Sequence, residues 1–130
     1  MYQQTTQSIR VSVRPYFLED ESDPAANHYF WAYNVVVENE GPLTVQLMSR
    51  YWNITDSNGQ VEEVAGAGVV GEQPVLEPGG TFEYTSGCPL GAPSGVMHGR
   101  YRMRAEDGQE FEVEIPAFSL DLPDSRPVLN

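Results

Sequence analysis

The sequence predicts an all-β protein, a two-sheet antiparallel sandwich of the immunoglobulin or fibronectin-III type. Apolar and polar residues alternate along most of the chain, which is the period of a strand with one buried face. Turn-forming pairs rich in Gly, Asn, Asp and Pro recur between these segments, and no stretch shows a convincing helical period. About seven or eight short strands in 130 residues fit a sandwich better than a closed barrel.

The alternation defines the strands in order. We predict them at about 9–14, 28–38, 44–54, 60–65, 68–71, 81–86, 97–105 and 110–115. In the third of these, Val45, Leu47, Ser49 and Tyr51 are expected to share one face. The turns between later strands are predicted at 58–59, 78–80, 93–95 and 107–108. Two irregular segments are also predicted, the acidic 19–27 and the Pro- and Gly-rich 87–95.

The last hairpin permits a prediction of register. Alternating arginines face alternating glutamates on its two strands: Arg100, Arg102 and Arg104 with Glu110, Glu112 and Glu114. A two-residue turn would set Arg104 opposite Phe111, whereas a three-residue loop at 106–108 sets Arg104 opposite Glu110 and Arg102 opposite Glu112. We predict the second register, with Gly108 in a left-handed conformation. The core face of the hairpin then carries Tyr101, Met103, Phe111 and Val113.

Charge excludes several classes of partner. The chain has 19 acidic residues and 7 basic ones, all arginine, for a net charge of -12. This charge repels nucleic-acid backbones and anionic membranes, so we predict no nucleic-acid binding and no membrane binding. The single cysteine, Cys88, allows no internal disulfide, and the first residues lack the apolar core of a signal peptide. A cytoplasmic location is therefore expected.

The run Gly-Ala-Gly-Val-Val-Gly that ends at Gly71 matches a dinucleotide-binding pattern. In that fold the third glycine opens a helix whose N terminus holds the pyrophosphate. Here Pro74 and Pro78 leave no room for the helix, which excludes a Rossmann site. Two interpretations remain for Gly66, Gly68 and Gly71. They form a nest of backbone N–H groups for a phosphate, or they permit bulges and close packing, which we favour because the motif lacks its usual context.

Arg100 is the candidate counter-charge for such a phosphate, because Gly99 and the Pro-rich loop before it leave space for a ligand. The glutamates predicted opposite the arginine row offer another account, a cross-strand ladder of ion pairs. We favour the ladder, and Arg100 is its least certain member.

Residues suited to metal binding or nucleophilic catalysis are few. His28, His98 and Cys88 match no zinc spacing, and a solvated loop explains the acidic run 19–23 better than a Mg²⁺ or Co²⁺ site does. A Cys88–His98 catalytic pair would need a third group to orient it, so a small buried or loop thiol is the preferred interpretation. We predict no cofactor, no metal site and no enzymatic activity.

Aromatic residues indicate a further surface. Both faces of the second predicted strand carry aromatic rings, namely Tyr29, Phe30, Trp31 and Tyr33. On the third predicted strand, Trp52 is expected on the face opposite Tyr51. One face must be core. We expect long loops to cover the other face. Where they do not, its rings form an apolar patch suited to a protein partner or to a homodimer.

Several motifs together resemble the bacterial ApaG family. They are Gly-x-Gly-Val-Val-Gly, Pro-Gly, Tyr-Thr-Ser-Gly and the Gly-x-Met-x-Gly-x-Tyr that ends at Tyr101, in this order. The resemblance extends from the first strand to about Leu122 and implies one ApaG-like domain over 1–130, with an extended tail at about 123–130. It implies a fibronectin-III-like sandwich, in agreement with the strand count. Family members are loosely linked to cobalt resistance and magnesium efflux and are often encoded beside a diadenosine tetraphosphatase. Related domains occur in eukaryotic F-box and polymerase-delta-interacting proteins.

Two classes of function remain. The first is a non-enzymatic interaction module that presents an aromatic or edge-strand surface to another protein. The second is a binder of a small phosphate-containing ligand such as a nucleotide, or a regulator linked to divalent cations, built on the loop at 66–71. We predict the first.

Overall fold

The computed structural model describes residues 1–122, so the tail predicted at about 123–130 lies outside the described residues. Nine strands run through this part of the chain, with two 3-10 turns, Glu19–Glu21 and Pro24–Ala26, inside the segment predicted to be irregular. The strands are β1 Tyr2–Thr6, β2 Ile9–Phe17, β3 Tyr29–Asn39, β4 Val45–Asp56, β5 Val61–Ala67, β6 Val75–Leu76, β7 Thr81–Leu90, β8 Ser94–Ala105 and β9 Glu110–Asp121. No helix among residues 1–122 has the length and apolar character needed to span a bilayer.

These strands form two antiparallel sheets, and the predicted all-β sandwich is confirmed. The first sheet has the order β1-β2-β3-β7, and the second has the order β5-β4-β8-β9, with β6 paired to β4. Alternate residues of each strand point between the sheets and build one shared core. Its most deeply buried members include valines, large aliphatic residues and two aromatic rings, among them Ile9, Val11, Val13, Val35, Leu47, Tyr101, Met103 and Phe118.

The two sides of the sandwich differ. On one side the edge strands β1 and β9 are joined, because Glu114 N donates to Thr6 Oγ1 at 3.3 Å and Ser119 N donates to Tyr2 Oη at 3.4 Å. On the other side the edge strands are β5 and β7, and residues of both line an open cleft of about 160 Å³. We call this the β5/β7 cleft; its lining includes Tyr33, Arg50, Trp52, Glu62, Val64 and Cys88.

The predicted register of the last hairpin is confirmed. Arg104 lies opposite Glu110 and Arg102 lies opposite Glu112. Gly108 has a φ of +86°, the left-handed conformation expected for a three-residue loop. The predicted core face is also correct, since its four members are buried or half-buried: Tyr101, Met103, Phe111 and Val113.

Two predicted segments were wrong. Residues 68–71 form a tight turn, not a strand, because Val69 and Glu72 exchange backbone hydrogen bonds of 2.8 and 2.9 Å across it. Residues 87–95 are mostly strand, since β7 continues to Leu90 and β8 begins at Ser94. Burial of Cys88 and Leu90 in the core outweighs the low strand propensity of this segment.

A bulge overturns the predicted face of β4. The register with β8 shifts between Leu47 and Ser49, so the side chains that point inward beyond this position are Trp52 and Ile54. Ser49 and Tyr51 therefore leave the face that Val45 and Leu47 occupy, which corrects the simple alternation.

Sequence patterns also missed two strands. The exposed residues of β1 are Gln3, Gln4 and Thr5, which give no apolar alternation, and β6 has two residues. Both are held by pairing with longer strands.

Candidate functional site

The glycines of the dinucleotide-like motif do different structural tasks. Gly66 lies within β5, whereas Gly68 and Gly71 have φ values of +62° and +80° in the turn that follows. The Gly68 N–H donates to Met48 O at 2.9 Å and the Val69 N–H donates to Glu72 O at 2.8 Å, so these two donors are already used. This arrangement favours close packing and turn formation. Phosphate binding at Gly66, Gly68 and Gly71 stays a prediction.

Arg100 is not brought to these glycines. Its Nε lies 2.7 Å from Glu112 Oε2, and its guanidinium lies 4.3 Å from the centre of the Tyr51 ring. Arg100 alternates with the buried Tyr101 and so lies on the outer face of the second sheet, whereas Gly66 and its strand neighbour Arg50 belong to the inner face. A role for Arg100 in ligand binding also stays a prediction.

The ion pairs of the last hairpin form the predicted ladder with a diagonal offset. Arg104 pairs with Glu110 directly opposite at 3.4 Å, whereas Arg100 pairs with Glu112 one step along the sheet. Arg102 reaches Glu110 at 3.9 Å. All of these side chains are more than two-fifths exposed, so each pair stabilises the hairpin by at most about 1 kcal/mol.

The arginine beside the glycine motif is Arg50, which the sequence patterns did not single out. Its Nη1 donates to Gly68 O at 2.9 Å and to Ala67 O at 3.2 Å. A Cβ at Gly66 would lie 3.1 Å from that Nη1, so the missing side chain provides space for the guanidinium. The large apolar Trp52 and Ile54 were the available signal, since they mark the face that Arg50 shares after the bulge.

Burial raises the pKa of two groups that line the β5/β7 cleft, Tyr33 and Cys88. Burial raises the pKa of Tyr33, against smaller opposing effects of a hydrogen bond with Ser86 and of the Arg50 charge. It raises the pKa of the Cys88 thiol to about 11, and the Glu62 carboxylate adds to the shift. Cys88 is buried, as expected for a structural thiol, and it remains protonated near neutral pH.

The aromatic residues lie mainly inside. Tyr29, Trp31 and Tyr33 are buried, while Phe30 is 37% exposed on the outer face of the first sheet. Trp52 points to the face opposite Tyr51, as predicted, and this face proves to be the buried one, since Trp52 is 2% exposed. Three of the four clustered rings therefore serve the core, and the outer face of β3 keeps one.

No three His, Cys, Asp or Glu side chains within residues 1–122 are grouped so as to hold a metal ion. The acidic segment at 19–23 consists of a 3-10 turn followed by Ser22, which donates to Leu18 O at 2.7 Å and accepts from Phe30 N at 2.9 Å. These bonds fix the loop against β3 through its serine.

Comparison with known proteins decides the family. The family model described as the ApaG domain matches residues 19–105. The chain belongs to the ApaG family. Protein ApaG of Brucella anthropi is 59% identical and that of Brucella suis biovar 1 is 58% identical, in both cases over 130 residues and the full length of both chains. The crystal structure of the ApaA protein from Bordetella pertussis superimposes with a TM-score of 0.88 at 49% identity, covering 90% of this chain and 95% of that one.

The resemblance inferred from the motifs is therefore confirmed, and the structure gives the ApaG motif residues at 95–101 architectural tasks. A Cβ at Gly99 would come closer than 3.0 Å to Tyr51 O, so this glycine lets β8 approach β4. Tyr101 is fully buried and shares a hydrogen bond with the Tyr84 hydroxyl across the sandwich. Gly99 thus serves the packing within the second sheet, and Tyr101 joins that sheet to the first.

Proposed function

We propose that this ApaG-family protein is a non-enzymatic interaction module that binds an extended segment of another protein along the free edge of β5. The observation that supports it is the topology: β5 is an edge strand with no neighbour on its outer side within residues 1–122. Such an edge presents a row of backbone donors and acceptors that an added strand can pair with.

The edge of β5 is a better template than the edge of β7. The part of β7 that lines the cleft contains Gly87 and Pro89, and proline has no N–H to donate to an added strand. The seven residues Val61–Ala67 contain no proline, and Val61 is 58% exposed. An added strand at β5 would extend the second sheet over the mouth of the cleft.

An interaction role also fits the chemistry of the cleft. Its thiol, Cys88, donates to Pro89 O at 3.6 Å, and burial raises its pKa to about 11, which makes it a poor nucleophile near neutral pH. A protected free thiol suits the reducing cytoplasm that we propose as the compartment.

Photocrosslinking in cells tests this function. A benzophenone amino acid replaces Val61 on the edge or, as the control, Val96, which is 44% exposed on the interior strand β8. We expect a discrete protein adduct from position 61 and none from position 96, because only the edge accepts a strand. Equal adducts at both positions, or none at position 61, would contradict the proposal.

A further inference from the structure

The β5/β7 cleft carries opposite charges at its two ends. The inward positions of β5 are Glu62, Val64 and Gly66, and at Gly66 the guanidinium of Arg50 occupies the space of a side chain. A strand rises about 3.3 Å per residue, so the first and last of these positions lie about 13 Å apart. The cleft thus presents a carboxylate, an apolar side chain and a guanidinium at alternate positions of one strand.

Arg50 differs from four of the five other arginines of the two sheets, and the fifth, Arg14, is exposed. Arg10, Arg100, Arg102 and Arg104 each lie within 4.0 Å of a glutamate oxygen. Arg50 is half-buried, and although the protein has a net charge of -12, it forms no ion pair with any described residue. Its Nη1 is fixed by two backbone carbonyls, while Nη2 and Nε have no hydrogen-bond partner among residues 1–122. The guanidinium is therefore held in position with donors available for an anionic oxygen.

The centre of the cleft is apolar. Val64 lies opposite Trp52, is half-buried, and packs against the core. An apolar side chain placed beside Val64 would remove the exposed part of Val64 from water, which is favourable at about 25 cal/mol per Å².

From these three positions we propose that the β5 edge selects a partner strand with the pattern acidic-x-apolar-x-basic. The acidic residue faces Arg50, the apolar residue lies beside Val64, and the basic residue faces Glu62. The inference rests on the proposed function and specifies its partner. The order of these three residues along the partner follows from antiparallel pairing, which every strand pair of the two sheets adopts. In an antiparallel partner, the residue opposite Gly66 precedes the residue opposite Glu62.

A nuclear magnetic resonance titration of the full ¹⁵N-labelled chain tests the pattern with three capped peptides. They are Thr-Glu-Thr-Val-Thr-Lys-Thr, the reversed Thr-Lys-Thr-Val-Thr-Glu-Thr, and the uncharged Thr-Gln-Thr-Val-Thr-Gln-Thr. We expect the first to shift the amide signals of Val61–Ala67 saturably at about millimolar concentration, and to bind about 10-fold more tightly than the other two.

Variants assign the preference to its residues. Arg50→Gln should remove the preference for the first peptide, whereas Arg14→Gln should keep it. Arg14 is a matched control because it is exposed and forms no ion pair with the described residues. Its replacement by glutamine changes the net charge by the same amount as Arg50→Gln. Glu62 is exposed, so the variant Glu62→Lys should fold normally. It should bind a fourth capped peptide, Thr-Glu-Thr-Val-Thr-Glu-Thr, most tightly, because the second glutamate of that peptide faces the new lysine.

The outcomes separate the two proposals. Equal binding of all three peptides at β5 would overturn the charge pattern and leave strand addition intact. No shift at β5 up to about 5 mM peptide, with the adduct at position 61 still formed in cells, would also overturn the pattern alone, since inward charges can protect a strand edge. Loss of both signals would overturn strand addition itself. Pyrophosphate is titrated separately, and tighter binding of pyrophosphate at Arg50 would assign the guanidinium to a small oxyanion instead.

Discussion

The substitution Gly99→Ala measures how closely the two central strands of the second sheet approach. A Cβ at this position would lie closer than 3.0 Å to Tyr51 O, 3.1 Å from Tyr51 C and 3.2 Å from Trp52 Cα. All three are backbone atoms of β4, so no side-chain rotation relieves the clash and the strands must separate. Overpacking of a core costs about 1–3 kcal/mol and more where the backbone must move. We therefore expect Gly99→Ala to lower the free energy of unfolding by at least about 3 kcal/mol.

Gly87→Ala is the matched control in β7. Its Cβ would have Trp31 O at 3.6 Å as its one contact within 4 Å among the described residues, an ordinary van der Waals distance. Alanine also restricts the unfolded chain, so the stability should stay unchanged or rise by about 0.4–1 kcal/mol.

Urea unfolding followed by tryptophan fluorescence compares the two variants. With a slope of about 1–3 kcal/mol per molar urea, the midpoint of Gly99→Ala should fall by at least about 1 M. Midpoints of Gly99→Ala and Gly87→Ala that agree would refute the close approach of β4 and β8.

Three further perturbations test the core and its polar contacts. Tyr101→Phe removes the hydrogen-bond partner of the buried Tyr84 hydroxyl and should lower the free energy of unfolding by about 1–3 kcal/mol. Its control, Tyr16→Phe, changes a ring that is 46% exposed and should alter this free energy by less than about 0.5 kcal/mol. Similar losses for the two variants in urea unfolding would contradict the importance of the hydrogen bond. Asn39→Ala removes the hydrogen bonds that this buried side chain forms with two carbonyl oxygens and one N–H. Calorimetry should show a loss of about 2–3 kcal/mol, and an unchanged melting temperature would disprove the importance of these bonds. The pKa of Cys88 is raised from 9.0 to about 11, so the unfolded thiol ionises at lower pH than the native one, and this group's contribution to stability is full below pH 9 and declines as the pH rises toward 11. Alkylation of the native thiol by iodoacetamide should accordingly remain slow at about pH 8, and rapid alkylation of the folded protein there would contradict the burial.

Local patterns predicted the hairpin between β8 and β9 well. Its charged and apolar residues alternate without ambiguity, and Gly108 marks the loop, so only one register keeps Arg104 opposite Glu110 and away from the core. The same local logic predicted the sandwich, since each strand buries one face.

Long-range contacts account for what the patterns missed. The bulge in β4 exposes Met48 O to the Gly68 N–H and to Gln73 Nε2, both at 2.9 Å, and these donors come from a segment about 20 residues later in the chain. No window around Met48 contains that information. Because the bulge sets the face of Arg50, simple alternation placed this cation on the outer face, and the large apolar Trp52 and Ile54 were the nearby sign of the shift.

The joining of β1 to β9 has a consequence for synthesis on the ribosome. The strand β1 emerges long before β9, yet its contacts through Thr6 and Tyr2 are made with Glu114 and Ser119 of β9. At a translation rate of about 5–20 residues per second, the inner face of the first sheet stays uncovered for several seconds until the strands that pack on it are synthesised. Nascent chains that stall before β9 would expose Val11 and Val13 of β2, and chaperones that bind apolar segments should engage the protein during that interval.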